Sequence, residues 1–208
     1  MPVATFPLGP LQTNSYLIHA DNRAVAVDVG GQPAPMLDYL AEYRLSLTAI
    51  CLTHRHFDHL YGVAELAAAT RAPVYAPAGD DSLAETESGR GGIWGFPQVT
   101  PFESLPMPTG ETSFGGMGCR VLETPGHTPG GVSLYFPAES LVFTGDALFY
   151  RSMGRTDFPG GDHATLLRSI NDALFALPPE TVVYPGHGPA TTIGDERKNN
   201  PFCGEFRA

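Results

Sequence analysis

Four of the side chains best suited to chemistry are packed into Thr53-His-Arg-His-Phe-Asp-His59, as His54, His56, Asp58 and His59, and three more, His127, Asp146 and His187, are spread through the rest of the chain. Imidazole and carboxylate donors, with no thiolate among them, suit hard to borderline divalent ions such as zinc, manganese or iron. The spacing points to two ions. His54 and His56 are two apart, so at the end of an extended strand both rings project to the same side, and the apolar run Ala49-Ile50-Cys51-Leu52 supplies that strand. Asp58 and His59 fall where the chain turns into a helix, because Leu60, Val63, Ala64 and Ala67 recur at helical spacing. Asp58 is there either the cap of that helix or a donor to the second ion. A single His is more often an ordinary surface or core side chain, whereas three with an Asp inside six residues form the pattern of a metal motif.

The distant three sit at strand-to-loop junctions. His127 lies in Thr124-Pro-Gly-His-Thr-Pro-Gly-Gly131, where Pro and Gly hold a loop in a defined shape and leave room for close approach. Asp146 follows a strand in Phe143-Thr-Gly-Asp-Ala147, and His187 repeats the Pro-Gly-His pattern after Val182-Val-Tyr184. Singly, Asp146 reads equally as a turn residue and His187 as a loop histidine; jointly, one rim of strand ends could gather all three.

The elements that must position these residues alternate between strands and helices. Ser15–His19 and Ala24–Asp28 read as strands with a turn at Asp21-Asn22; Met36, Leu37, Leu40 and Ala41 share a helix face; strands follow at 48–53 and 73–76. An irregular, Gly-rich surface stretch runs from Gly89 to about Pro108. Strands return at 118–122, 132–136 and 141–144. Leu167, Ile170, Leu174 and Leu177 then mark a helix that Asp162 can cap. Two strand clusters, each with helices, predict an α/β architecture of two sheets packed face to face with helices outside. The 208 residues suffice for one sizeable core, so a single domain over 1–208 is expected, and 24 Gly with 20 Pro predict many tight turns.

Composition excludes several classes. The net charge is −10 and Lys198 is the only lysine, so no basic stripe exists to neutralise a phosphate backbone, and nucleic acid is excluded as a partner. The opening Met-Pro-Val-Ala-Thr-Phe lacks a basic and then apolar leader, and no apolar run approaches a bilayer's thickness; a cytoplasmic protein without membrane association is expected. Cys51, Cys119 and Cys203 are an odd number without close pairing, which suits a reducing compartment. Cys51 reads as a core residue of its strand. The 195–200 segment, Asp-Glu-Arg-Lys-Asn-Asn, reads as a solvated helix face.

With Asp28 at a strand end, His54-x-His56-x-Asp58-His59, His127, Asp146 and His187 in that order, the chain resembles the metallo-β-lactamase superfamily. The resemblance implies a four-layer αββα sandwich of two mixed sheets flanked by helices. It also implies a dinuclear site, with His54, His56 and His127 on one ion, Asp58, His59 and His187 on the other, and Asp146 bridging. Asp28 is then a residue behind the ligands that orients them, or else a simple turn carboxylate before Gly30. Thr124–Gly131, Gly154-Arg-Thr-Asp157 and the tail from Pro185-Gly-His-Gly-Pro189 to Asn200-Pro201-Phe202 are similar to the glyoxalase II group, the hydroxyacylglutathione hydrolases, and to a short bacterial form without the C-terminal helical domain. That resemblance implies cleavage of S-2-hydroxyacylglutathione thioesters by a metal-bridging hydroxide, with Asp58 orienting the nucleophile or accepting its proton and zinc first among the metals. Tyr150, Arg155, Arg197 and Lys198 are candidates for holding glutathione, with Arg90 and Arg151 as further cations. Arg155 alternatively braces its loop against Asp157, and Tyr150 alternatively packs. Trp94 with Phe96 forms either a lid or a loop anchor. The closest rival is a mononuclear iron persulfide dioxygenase of the same superfamily; lactonase or β-lactamase activity and a non-catalytic scaffold are further alternatives.

Overall fold

The structure is a computed structural model that describes residues 1–93 and 95–205. The chain divides into two compact units: Met1–Met107 with Ser113–Met117, and Pro108–Thr112 with Gly118 onward.

The first unit begins with the antiparallel strands β1 (Val3–Leu8), β2 (Thr13–Ala20) and β3 (Arg23–Val27). Helix α1 (Ala34–Glu42) leads to β4 (Ser46–Cys51), parallel to β3; α2 (Val63–Thr70) leads to β5 (Val74–Ala76), parallel to β4; α3 (Glu87–Arg90) precedes β6 (Leu105–Pro106). The sheet order is β1-β2-β3-β4-β5-β6. Parallel pairs need a crossover, and α1 and α2 provide it. Met36 and Leu40 of α1 and Val63 and Leu66 of α2 pack with Leu17, Ala26, Ile50 and Leu52, and full burial of each large apolar side chain contributes about 1.5–3 kcal/mol. Strands β3 and β4 are buried over most of their length, which is why Ala24–Val27 and Ala49–Leu52 read as unbroken apolar runs instead of alternating ones.

The second unit holds β7 (Gly110–Phe114, whose end falls in the first unit), β8 (Met117–Glu123), β9 (Val132–Phe136), β10 (Leu141–Gly145), the short hairpin β11 (Leu148–Phe149) and β12 (Ser152–Met153), α4 (His163–Ser169), β13 (Val182–Pro185), β14 (Thr191–Thr192) and α5 (Ile193–Asn199). Its sheet runs β14-β13-β10-β9-β8-β7, with β10 and β13 parallel. Asp162 caps α4 as the sequence predicts, its Oδ1 accepting from Thr165 N at 2.7 Å, and Ile170, Leu174 and Leu177 are buried with Leu167 packed against them. Among the described residues no helix is long and apolar enough to cross a membrane.

One local expectation fails. The motif does not run straight into a helix: Phe57–His59 form a 3-10 turn, and α2 starts only at Val63, with Gly62 at its N-cap and no side-chain cap. Asp58 is engaged elsewhere, since its Oδ2 accepts from Thr13 Oγ1 at 2.9 Å. The N-cap position is held by glycine because of close approach: a Cβ on Gly62 would lie 1.9 Å from the Gly31 carbonyl oxygen.

Candidate metal centre

In the first unit, β4 delivers the chain into the motif, and His54, His56, Asp58 and His59 are all buried. The His54 ring lies 4.9 Å from that of His56 and 4.1 Å from that of His59, centroid to centroid. Behind them sits Asp28, just past the neighbouring strand β3, with a left-handed backbone (φ 55). Its Oδ1 accepts from Thr53 N at 2.8 Å, and its Oδ2 accepts from Thr53 Oγ1 and His59 Nδ1, both at 2.8 Å. Thr53 has one hydroxyl proton and gives it to Asp28, so across the 3.0 Å contact with His54 Nδ1 the hydroxyl oxygen accepts. One carboxylate therefore fixes the tautomer of His59 directly and of His54 through Thr53. Both rings carry the proton on Nδ1 and keep the Nε2 lone pair for a metal. Asp28 thus combines a left-handed turn position with hydrogen bonds to Thr53 and His59. Burial, with Asp58 close by, pushes the Tyr61 phenol up to about 12.

Asp28→Asn puts this to the test. An amide offers one accepting oxygen where the carboxylate uses two, so its NH2 must face either Thr53 N or the Thr53 hydroxyl and His59 Nδ1, and the support behind the histidines weakens. Zinc affinity, measured by competition with a chromogenic chelator, is expected to fall about 10–100-fold; wild-type affinity in a folded Asp28→Asn protein would contradict the tautomer argument.

In the second unit, Asp146 follows β10 directly and His187 lies two residues past β13. Because Gly145 pairs with Pro185 across these parallel strands, the two emerge side by side. His127 comes from the loop after β8. Asp146 Oδ2 stands 3.5 Å from His127 Nε2 and 3.7 Å from His187 Nε2, longer than an ordinary hydrogen bond of about 2.7–3.2 Å. Two donors about 2.1 Å from a shared tetrahedral ion stand about 3.4 Å apart, so the separations suit co-ligands. His127 Nδ1 donates to the Arg155 carbonyl at 2.7 Å, which again leaves Nε2 as the donor atom. Phe149 meets the His187 ring edge to face at 6.1 Å. The donor set is nitrogen and oxygen throughout; Cys51, Cys119 and Cys203 are buried and in no disulfide, and burial pushes the Cys119 thiol up to about 12. Both half-sites fit a borderline divalent ion.

The candidates for substrate contacts are dispersed. Arg155 binds Asp157 through two hydrogen bonds of 2.7 and 2.6 Å, which hold the Asp157 carboxyl down at about 2; it braces its loop. Arg197 reaches the Phe175 carbonyl and Glu205. Lys198 is exposed on α5, and Tyr150 is exposed at the hairpin tip with the Arg151 guanidinium 4.8 Å from its ring centre. Phe96 packs on Phe57 at 5.5 Å, while Trp94 lies outside the described residues. Two residues that sequence reasoning passed over are Thr13, which holds Asp58, and Glu196, which is fully buried on α5 instead of solvated.

Two mixed sheets flanked by helices, each carrying a set of imidazole and carboxylate donors, define a metallo-hydrolase of the α/β class. A family model for the metallo-beta-lactamase superfamily matches residues 8–187, and the chain belongs to that superfamily. It is 38% identical over 203 residues, 96% of each chain, to the Bacillus subtilis protein named "Probable metallo-hydrolase YqgX". It is 34% identical over 209 residues, 97% of this chain and 98% of the relative, to hydroxyacylglutathione hydrolase GloC of Haemophilus influenzae. Among solved structures it is similar to BLEG-1 B3 metallo-beta-lactamase (TM-score 0.91, 39% identity, 97% of this chain and 99% of that one). It is also similar to TTHA1623 in a di-iron-bound form (TM-score 0.86, 42% identity, 96% and 99%) and to ETHE1 from Myxococcus xanthus (TM-score 0.78, 34% identity, 98% and 84%). The fold is the one that the sequence motifs imply.

Proposed function

We propose that this chain is a metal-dependent thioester hydrolase of glyoxalase II type, which cleaves S-2-hydroxyacylglutathiones such as S-lactoylglutathione to the hydroxy acid and glutathione. In this reading the two units form one hydrolase domain and the half-sites share a pair of divalent ions, zinc in first place with iron or manganese as alternatives. His54, His56 and His127 would hold one ion and Asp58, His59 and His187 the other, with Asp146 available to both. The observation that carries the reading is Asp146 Oδ2, standing at co-ligand distance from two imidazole nitrogens at once. The di-iron form of TTHA1623 supports a pair of ions, and the similarity to GloC along nearly the whole of both chains supports the substrate class. Three buried cysteines in no disulfide are in keeping with a cytoplasmic location.

Bound divalent ions supply Lewis-acid polarisation of the carbonyl and a water acidic enough to ionise near neutral pH. Asp58, steadied through Oδ2 by Thr13, orients the nucleophile and takes its proton. Asp28, Thr53 and the Arg155 carbonyl keep three imidazoles aimed. A thiol has a pKa of about 8.5, so a thiolate departs without an obligatory proton donor, which an amine leaving group needs; a thioester asks less of these residues than an amide. Of the candidates to meet glutathione's carboxylates, Lys198 and Tyr150 are exposed, whereas Arg155 and Arg197 already face Asp157 and Glu205. β-Lactam hydrolysis is a second reading, favoured by the similarity to BLEG-1.

The test is elemental analysis of purified protein alongside anaerobic assays with S-lactoylglutathione and a chromogenic β-lactam. Two ions per chain with oxygen-independent thioester cleavage are expected. One iron with oxygen uptake on glutathione persulfide replaces the proposal with a persulfide dioxygenase. A fully metallated sample that cleaves no thioester removes it.

A further inference from the structure

We propose that Glu196, on α5, is a positioning residue for the second half-site: its buried carboxylate clamps the β11–β12 hairpin, whose two ends touch His127, Asp146 and His187. The inference rests on the metal reading above but concerns a residue outside any ligand set.

Glu196 is fully buried, and its two oxygens accept four hydrogen bonds. Oε2 accepts from Arg151 N and Asn200 Nδ2, both at 2.8 Å; Oε1 accepts from the Arg151 guanidinium and Thr191 Oγ1, both at 2.7 Å. A buried carboxylate is tolerated only when its acceptors are satisfied, and half of these donors belong to the hairpin turn. The pairs Leu148–Met153 and Phe149–Ser152 leave a two-residue turn, Tyr150-Arg151, in which Arg151 takes the left-handed region (φ 54). A non-glycine residue held there needs its surroundings to impose the conformation, and the bond from Arg151 N to Glu196 does so. Asn200, one helical turn further on, gives its second amide proton to the Ser152 carbonyl at 2.9 Å, with the Phe149 carbonyl nearby at 3.4 Å. The turn and the second hairpin strand are therefore tied to α5.

What the hairpin holds explains why this matters. Its first strand carries Phe149, whose ring packs against His187. Its second strand runs into Gly154-Arg155, where the Arg155 carbonyl takes the His127 Nδ1 proton and Gly154 lies against the Asp146 backbone. A single carboxylate on a helix thus supports the segment that touches all three donors of this half-site. No contact of Glu196 with Asp146, His127 or His187 is needed.

Zinc binding by folded protein, read by competition with a chromogenic chelator, tests the role without using hydrolysis. Glu196→Ala is expected to weaken zinc binding about 10–100-fold, the range for residues that orient metal ligands. The control is Ile193→Ala, a fully buried apolar truncation in the same helix, which is expected to lower Tm while leaving zinc affinity within about twofold. If Glu196→Ala does not fold, Asn200→Ala replaces it; this variant keeps the carboxylate and cuts the tie to Ser152, and a smaller fall in the same direction is expected. Wild-type zinc affinity in whichever of these variants is folded overturns the proposal, and so does an equal loss in Ile193→Ala. Wild-type protein that binds no zinc, iron or manganese removes the metal reading itself, a separate failure.

Discussion

Asp146→Ala is expected to bind at most one tightly held ion per chain and to lose at least roughly 10³-fold in thioester turnover, a loss of about 4 kcal/mol in transition-state stabilisation. In the proposed centre this carboxylate is the only donor shared by both ions. Two divalent cations about 3.5–4 Å apart repel by roughly 17–19 kcal/mol at an effective dielectric of about 20, and a bridging negative charge is what offsets that term. Asp146→Asn keeps the shape and removes the charge, so it is expected to fail almost as badly, whereas a purely steric role would spare it. Metal-free Asp146→Ala is expected to unfold no earlier than metal-free wild type, because the desolvation cost of a largely buried carboxylate is repaid chiefly by bound cations. Elemental analysis, steady-state thioester turnover and thermal denaturation with and without chelator measure the three effects. Two tightly bound ions and wild-type turnover in Asp146→Ala would sink the dinuclear assignment.

The candidate donors could be picked out of the sequence because metal chemistry restricts them to few residue types, and because strand and loop geometry restricts their spacing. His54 and His56 needed only period-two alternation, and Asp146 and His187 only the recognition that each follows an apolar strand. The α4 start was equally readable, since Asp162 caps through a bond that spans three residues. What stayed hidden depends on partners remote in the chain. Asp58 looked like a helix cap, and only its bond to Thr13, 45 residues away, shows that it is held elsewhere. Glu196 looked solvated because a seven-residue helix rich in charge has no apolar stripe to betray a buried face; its burial comes from Arg151, again 45 residues away. The strand order of the two sheets stayed hidden too, because the parallel pairs β3–β4 and β10–β13 join segments that local patterning cannot match.

Gly154→Ala is expected to do nearly as much damage as removing a ligand, although residue 154 has no side chain to contribute. An added Cβ would lie 1.8 Å from the Asp146 carbonyl oxygen, 3.1 Å from the Asp146 carbonyl carbon and 3.1 Å from His127 Nδ1. None of these is the far end of a flexible side chain. The carbonyl belongs to the backbone that delivers Asp146, and His127 Nδ1 is already fixed by its bond to the Arg155 carbonyl. Relief therefore requires moving Asp146, His127 or the 154–155 backbone, each of which misplaces a donor. Overpacking of this kind ordinarily costs about 1–3 kcal/mol, and the upper end or beyond is expected here, together with loss of tight zinc binding. Gly118→Ala is the matched control: nothing lies within 4 Å of its added Cβ, so metal content should be unchanged and stability equal or slightly higher, by about 0.4–1 kcal/mol, through a stiffer unfolded chain. Tm and bound metal for the two variants decide the matter, and a Gly154→Ala protein with wild-type values of both would show that the rim is softer than its packing implies. The same crowding gives a physical reason for the glycine that opens Gly154-Arg-Thr-Asp157. The backbone there must pass behind two donors at van der Waals distance, and only a residue without a Cβ leaves the room.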